Sequence, residues 1–245
     1  MFGDDTSLYC VVEDQTSAVE YLNEDLECIH QWSSDWGITF NTAKTKSMLF
    51  SRKKLANLPP LFFNGTMLES SKSHKPLGVT FNSNGKWNNH INEIYAKACR
   101  RINILRLMKH KLDRKSLENL YIGFIRSILE YGGIIWDNRS IHESDLLESV
   151  QLEPARIITG LRKGTTHVQL YTELGWVPLK ERRRTNKLIL LHKILHDETP
   201  LYLLNEILLH ANHQSSYNLR YNRVFEPPLC NTTSCKCRFS LKFSF

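Results

Sequence analysis

Hydrophobic and polar positions follow two rhythms along this chain. Residues 6–12 (TSLYCVV) are β-branched, aromatic and apolar, which predicts a strand. From 16 to 36 the rhythm is helical. Val19, Leu22, Leu26 and Ile29 recur at intervals of three and four, with Trp32 and Trp36 as optional members, and Gly37 is placed to close the helix. Short strands are predicted at 38–41 and 47–51, flanking a turn at 42–46. Residues 61–63 and 67–69 flank Asn64-Gly65, the strongest short hairpin signal, because both turn residues must take positive φ. A further strand is predicted at 77–81, ended by Asn82-Ser83-Asn84-Gly85.

After Trp87 only the helical rhythm remains. Ile91, Ile94, Tyr95, Ala98, Ile102 and Leu105 form one apolar face. Lys97 and Arg100 point away from it, and Arg101 flanks it. Leu117, Leu120, Tyr121, Phe124, Ile125 and Ile128 give a second amphipathic helix, and others are predicted at 143–159, 168–174, 179–196 and 201–209. Gly175, Pro178 and Thr199-Pro200 punctuate them. The expected fold class is therefore α+β. A β-rich front with one long helix covers 1–85, an all-helical region 88–210, and a loop or disordered tail 211–245.

The chain has 245 residues, 41% of them hydrophobic and 23% charged, enough for a real core and unlike a disordered, collagenous or disulfide-scaffold protein. No apolar run approaches the length of a membrane span, so no membrane partner is expected. No Lys or Arg precedes Lys44, so no secretory or mitochondrial leader is expected at this start. The net charge of +7 is unevenly placed. Residues 1–43 carry nine acids and no base, giving −9, and the remainder carries sixteen acids and 32 bases, giving +16. A basic body of that size suits either a polyanion such as nucleic acid or an ordinary solvated surface. Two clusters stand out. Residues 97–115 hold eight bases (Lys97, Arg100, Arg101, Arg106, Lys109, Lys111, Arg114, Lys115) against Asp113, and 180–193 hold six (Lys180, Arg182, Arg183, Arg184, Lys187, Lys193) against Glu181. The second cluster reads equally well as an exposed helix start.

Candidate chemistry concentrates at the start. Asp4 and Asp5 are adjacent carboxylates behind the small residue Gly3. Such a pair at a tight turn repels itself unless a cation sits between, and a divalent ion at a nucleotidyl-transfer centre is one such cation. A flexible acidic terminus is the other reading. Cys10, Cys28 and Cys99 read as small buried hydrophobes. Cys230, Cys235 and Cys237 form C-x4-C-x-C, which could complete a zinc set with His210 and His213 only through a long loop. His192 and His196, four apart on a Leu-rich helix with no neighbouring acid ligand, read as ordinary surface or core residues. Trp87, Trp136 and Trp176 read as core or hinge aromatics rather than base-stacking platforms.

In combination these pieces resemble one family. Phe2-Gly3-Asp4-Asp5 is followed by SLYCVV, a helix ending in a tryptophan-containing turn, Asn41-x-x-Lys44-Thr45-Lys46 with SMLFS, and Leu77-Gly78-Val79-Thr80-Phe81 with Trp87-x-x-His90-Ile91. That order is similar to the reverse transcriptases of non-LTR retrotransposons, the jockey-like long interspersed elements. Phe2–Asp5 match polymerase motif C, residues 37–46 motif D, and 77–81 motif E, the primer grip. Tyr131-Gly132, Ile135-Trp136, Glu153-x-x-Ala155-Arg156-x-x-x-Gly160 and Leu174-Gly175-Trp176-x-Pro178-Leu179-x-x-Arg182-Arg183 resemble the thumb and downstream region.

The resemblance implies a partial palm of short antiparallel strands followed by a helical thumb. It implies that Asp4 and Asp5 hold catalytic Mg²⁺, and that Lys44 or Lys46 faces the incoming triphosphate. Gly78 would let the primer backbone approach closely, and Lys97, Arg100, Arg101, Arg106 and Lys109 would contact an RNA template and DNA primer. The family needs a further aspartate, in motif A, and fingers, which this sequence does not offer. The expectation is a catalytically incomplete fragment that lacks a palm and fingers segment. A non-catalytic nucleic-acid-binding helical module and an inert remnant are the alternatives.

Overall fold

The computed structural model describes residues 6–11, 14–51, 59–137, 140–162 and 164–205. The fold is mixed α+β, helix-rich with a few two-residue strands. It divides into two compact units between His90 and Ile91.

In the first unit, α1 (Gln15–Asp35) starts where the Asp14 carboxylate accepts the Ser17 backbone N–H at 2.9 Å. It stops at Gly37, whose φ of 64° lets the Ile38 N–H reach back to the Ser33 carbonyl at 2.8 Å. The sequence predicts this helix almost to the residue. Its side faces the hairpin of β2 (Phe62–Phe63) and β3 (Thr66–Met67), joined by Asn64 and Gly65 at φ 49° and 67°, the type I′ turn expected. Asn23 Oδ1 accepts the Phe62 N–H at 2.9 Å, and the buried Phe63 ring meets Phe40 and His30 edge-on. Two further pairs complete the unit. β1 (Lys46–Ser47) runs parallel to β4 (Glu69–Ser70), and β5 (Ser73–His74) runs antiparallel to β6 (Phe81–Asn82).

Four expected strands are shorter or absent; of 47–51 only Ser47 pairs, in β1. Residues 6–11 are irregular and exposed, with Tyr9 at 88% exposure, because no described segment pairs with them and strand propensity alone does not hold a ladder. Residues 38–41 carry no strand either, and Phe40 is instead used as a ring contact. The 77–81 run is split. Pro76–Gly78 is a tight turn with Leu77 at φ 48° and Gly78 at φ 81°, and pairing begins only at Phe81.

In the second unit, α2 (Asn88–Met108) buries Ile91, Ile94, Ala98, Ile102 and Leu105, the face read from the sequence. A continuous helical stretch follows, comprising α3 (Arg114–Leu120), a π-helical segment (Tyr121–Arg126) and α4 (Ser127–Glu130). Its buried residues are Leu117, Tyr121, Ile125 and Leu129, a strict interval of four. An α-helix would drift off that interval, which is why periodicity selects Ile128. The wider π turn re-phases the face onto Leu129. The remaining elements are α5 (Gly133–Trp136), α6 (Ile141–Thr159), α7 (His167–Leu174) and α8 (Leu179–Leu195), with 201–205 also helical. Capping boxes open α6 (Ser140 with Glu143) and α7 (Thr166 with Gln169), and Gly160 and Gly175 close them in the left-handed region. Leu152, Ala155 and Leu170 form the centre of a core that Tyr171, Leu174 and Trp176 cover. The expected 211–245 tail, with Cys230, Cys235 and Cys237, lies outside the described residues.

Candidate functional site

Asp4 and Asp5 also lie outside the described residues. Among the described residues no three His, Cys, Asp or Glu side chains come together as a metal-ligand group. The fit of Mg²⁺ therefore rests on the donor chemistry of two adjacent carboxylates, the hard oxygen ligands that Mg²⁺ takes.

The two lysines of the 41–46 turn are placed differently. Asn41 organises the turn, its side-chain and backbone oxygens accepting the Lys44 N–H and its carbonyl accepting the Thr45 hydroxyl. Lys46 pairs through Nζ with Glu69 at 3.1 Å across the β1–β4 ladder. Lys44 is exposed, and among the described residues its ammonium has no ion-pair partner.

Gly78 sits at the tip of an exposed turn closed by the Val79 N–H to the Pro76 carbonyl at 3.0 Å. The turn is fixed from below. The buried His90 accepts the Thr80 N–H on Nδ1 at 3.2 Å, and Trp87 packs edge-on against Phe81. Asn82 donates to the Lys86 carbonyl at 2.7 Å and accepts from Asn89 Nδ2 at 2.8 Å. The Trp87-x-x-His90 spacing is thus a structural device that holds the 77–81 segment, a role invisible in the sequence because it depends on backbone N–H groups.

Four of the five basic candidates lie on α2 and Lys109 lies in the turn just after it, and the five separate. Lys97, Arg100 and Lys109 are exposed, without ion-pair partners among the described residues. Arg106 is tied to Glu153 at 2.7 Å and to Asn103. Arg101 is half-buried: its guanidinium lies 4.1 Å from the Phe124 ring centroid and donates to the Phe124 carbonyl inside the π-helical segment. It clamps the bulge. Exposed Ile104 and Leu107 continue the Lys97–Arg100 stripe.

The second basic cluster is largely neutralised. Arg182 pairs with Glu130, which holds its guanidinium even more firmly protonated. Arg183, 1% exposed, donates to Asp137 at 3.0 Å and lies near the Trp136 ring, and Lys187 meets the same carboxylate at 2.5 Å. A Cβ on Gly133 would touch the Arg183 stem at 3.4 Å, so the chain is close-fitted there. Residues that sequence reasoning passed over build this unit. Gln151, fully buried, accepts from the Tyr121 hydroxyl at 2.8 Å and donates to the Val177 carbonyl at 3.1 Å. Glu148 accepts from the Tyr171 hydroxyl and from the Leu179 N–H, which caps α8 at an end where Pro178 offers no side chain. Burial first, then Glu148, pushes the Tyr171 phenol far above its ordinary range. Trp176 stacks on Tyr121 at 4.2 Å. Buried polar residues break the apolar pattern, and that break was the available signal.

The comparisons with known proteins bear on less than half of the chain. Over 114 residues it is 25% identical to the RNA-directed DNA polymerase from mobile element jockey of Drosophila funebris. Over that stretch the chain is distantly similar to a mobile-element RNA-directed DNA polymerase. The match takes in 46% of this chain and 12% of that polymerase, so the chain spans a small part of the protein it matches. No family model matches the chain, and no solved structure does.

Proposed function

We propose that the chain is the palm end and thumb of the RNA-directed DNA polymerase of a jockey-like non-LTR retrotransposon, that α2 holds its template–primer duplex, and that the chain alone does not polymerise. The observation that carries this reading is the 25% identity to the jockey polymerase. The exposed Lys97, Arg100 and Lys109 support the duplex contact, since phosphate contacts need unneutralised cations. Arg101 and Arg106 are engaged within the fold, on Phe124 and Glu153, and take no part in the contact. Lys44, free of Glu69, is the better placed lysine to meet a triphosphate, and the Gly78 turn offers exposed backbone to a primer strand.

Asp4 and Asp5 are the residues that would hold Mg²⁺, which when bound activates the primer 3′-oxygen and neutralises triphosphate charge. That chemistry needs a further carboxylate from a palm and fingers segment. The described aspartates nearest to candidacy are already employed: Asp14 and Asp113 cap helices, and Asp137 answers Arg183 and Lys187.

The test is primer extension on an RNA template with dNTPs and Mg²⁺ or Mn²⁺, run beside anisotropy binding to the same labelled hybrid. The reading expects binding at low salt and no extension. Extension that Asp4→Ala abolishes would show that the chain is a complete enzyme, and absence of binding at low salt would remove α2 from the duplex.

A further inference from the structure

The C-terminal end of α8 carries a pair of groups that the polymerase reading does not use. His192 and His196 are one helical turn apart, both exposed, with ring centroids 4.2 Å apart and planes tilted by 35°. Their spacing is held by the backbone, since the His196 N–H donates to the His192 carbonyl at 3.1 Å. The chain then turns at Asp197, φ 57°, and the Glu198 N–H returns to the Lys193 carbonyl at 2.9 Å, so the last turn is closed. Glu198 and His192 line one shallow groove together with Lys193.

We propose that His192 and His196 form a two-imidazole chelate for a late first-row divalent ion such as Ni²⁺, Cu²⁺ or Zn²⁺. Neutral imidazole is a preferred ligand for these ions, and histidines four apart on one helix face can point two ring nitrogens at one ion. The position favours a cation a second way, because the unsatisfied carbonyls of a helix C-terminus carry partial negative charge. Glu198 adds to that field and Lys193 opposes it. Among the described residues no further His, Cys, Asp or Glu completes a ligand group. The site is accordingly open, with solvent filling the other coordination positions. Binding ties the His196 cap to the last turn of α8.

The experiment uses the untagged full chain and Ni²⁺ alone, by isothermal titration and by the shift in thermal midpoint. One ion per chain is expected to bind and to raise the midpoint. His192→Gln and His196→Gln should each weaken binding by about tenfold or more and abolish the shift, with Lys193→Gln retaining both. Both histidines are exposed, and circular dichroism of each variant confirms that helicity is unchanged. A Co²⁺ titration reports the ligand type. Absorption without a thiolate charge-transfer band agrees with imidazole ligation, and a thiolate band would place the ion on cysteines and overturn the assignment. Equal affinity in the wild-type chain and the two variants, or no binding at all, would overturn it as well.

Discussion

Removal of the Asp137 carboxylate is the sharpest test of how the helical unit is held. The Asp137→Ala change strips one acceptor from two cations, Arg183 Nε at 3.0 Å and Lys187 Nζ at 2.5 Å. Arg183 is 1% exposed and cannot turn to water, because its stem is pressed against Gly133 and its head lies near Trp136. Breaking a buried ion pair by removing one partner costs about 3–5 kcal/mol, most of it from the charge left behind. Asp137 keeps 18% of its side chain in solvent and Lys187 24%, which relaxes part of that penalty. The expected loss is therefore about 3 kcal/mol, at the lower end of the range for buried pairs. Arg183→Met in the same background removes the stranded charge and should recover most of the loss. The assay is urea unfolding of the full chain followed by far-UV circular dichroism and by Trp fluorescence, run as a double-mutant cycle. A loss below about 1 kcal/mol for Asp137→Ala, the scale of a surface pair, or a double variant no better than the single one, would refute the reasoning.

Other residues carry distinct expectations. Arg101→Gln should lower stability by about 1 kcal/mol through loss of the Phe124 contacts, yet leave hybrid binding unchanged in anisotropy. Reduced binding at unchanged stability would return Arg101 to the duplex surface. Leu77→Asn should raise the unfolding midpoint, relieving about 1 kcal/mol of left-handed strain at a half-exposed position; a lower midpoint would mean that the leucine side chain is needed. The Ser116 contact and backbone N–H groups at the α3 start hold the Asp113 carboxyl below its ordinary range. Its contribution is thus complete above that range and lost as the pH falls through it toward the depressed value. In acid titrations Asp113→Asn should lose less stability than the parent below about pH 4, and identical curves would show that this cap does not titrate with folding.

Much of the helical fold was readable in advance. α1, α2, α7 and α8 follow their apolar intervals and punctuating glycines, and the Asn64-Gly65 turn declared its hairpin. What periodicity could not supply was the π-helical segment, whose wider turn exchanges Ile128 for Leu129, and the strands at 6–12 and 38–41, which had propensity but no described partner. The site was legible in residue type and illegible in employment. Charge counting placed Arg101, Arg106, Arg182 and Arg183 beside Lys97 and Arg100. Only distances to Phe124, Glu153, Glu130 and Asp137 separate the arginines that hold the protein together from the cations left to face solvent.

The central claim is that the exposed face of α2, with the turn at Lys109 that follows it, contacts a template–primer duplex. The most direct measurement is the salt dependence of binding to an RNA–DNA hybrid, for the parent chain and for Lys97→Gln/Arg100→Gln/Lys109→Gln. Three phosphate contacts correspond to a slope of about −2.7 in log K against log salt. The account predicts that the triple variant binds more weakly at low salt and that its slope is shallower by about that amount, with thermal stability unchanged. Parallel plots of equal affinity for the two proteins would contradict it.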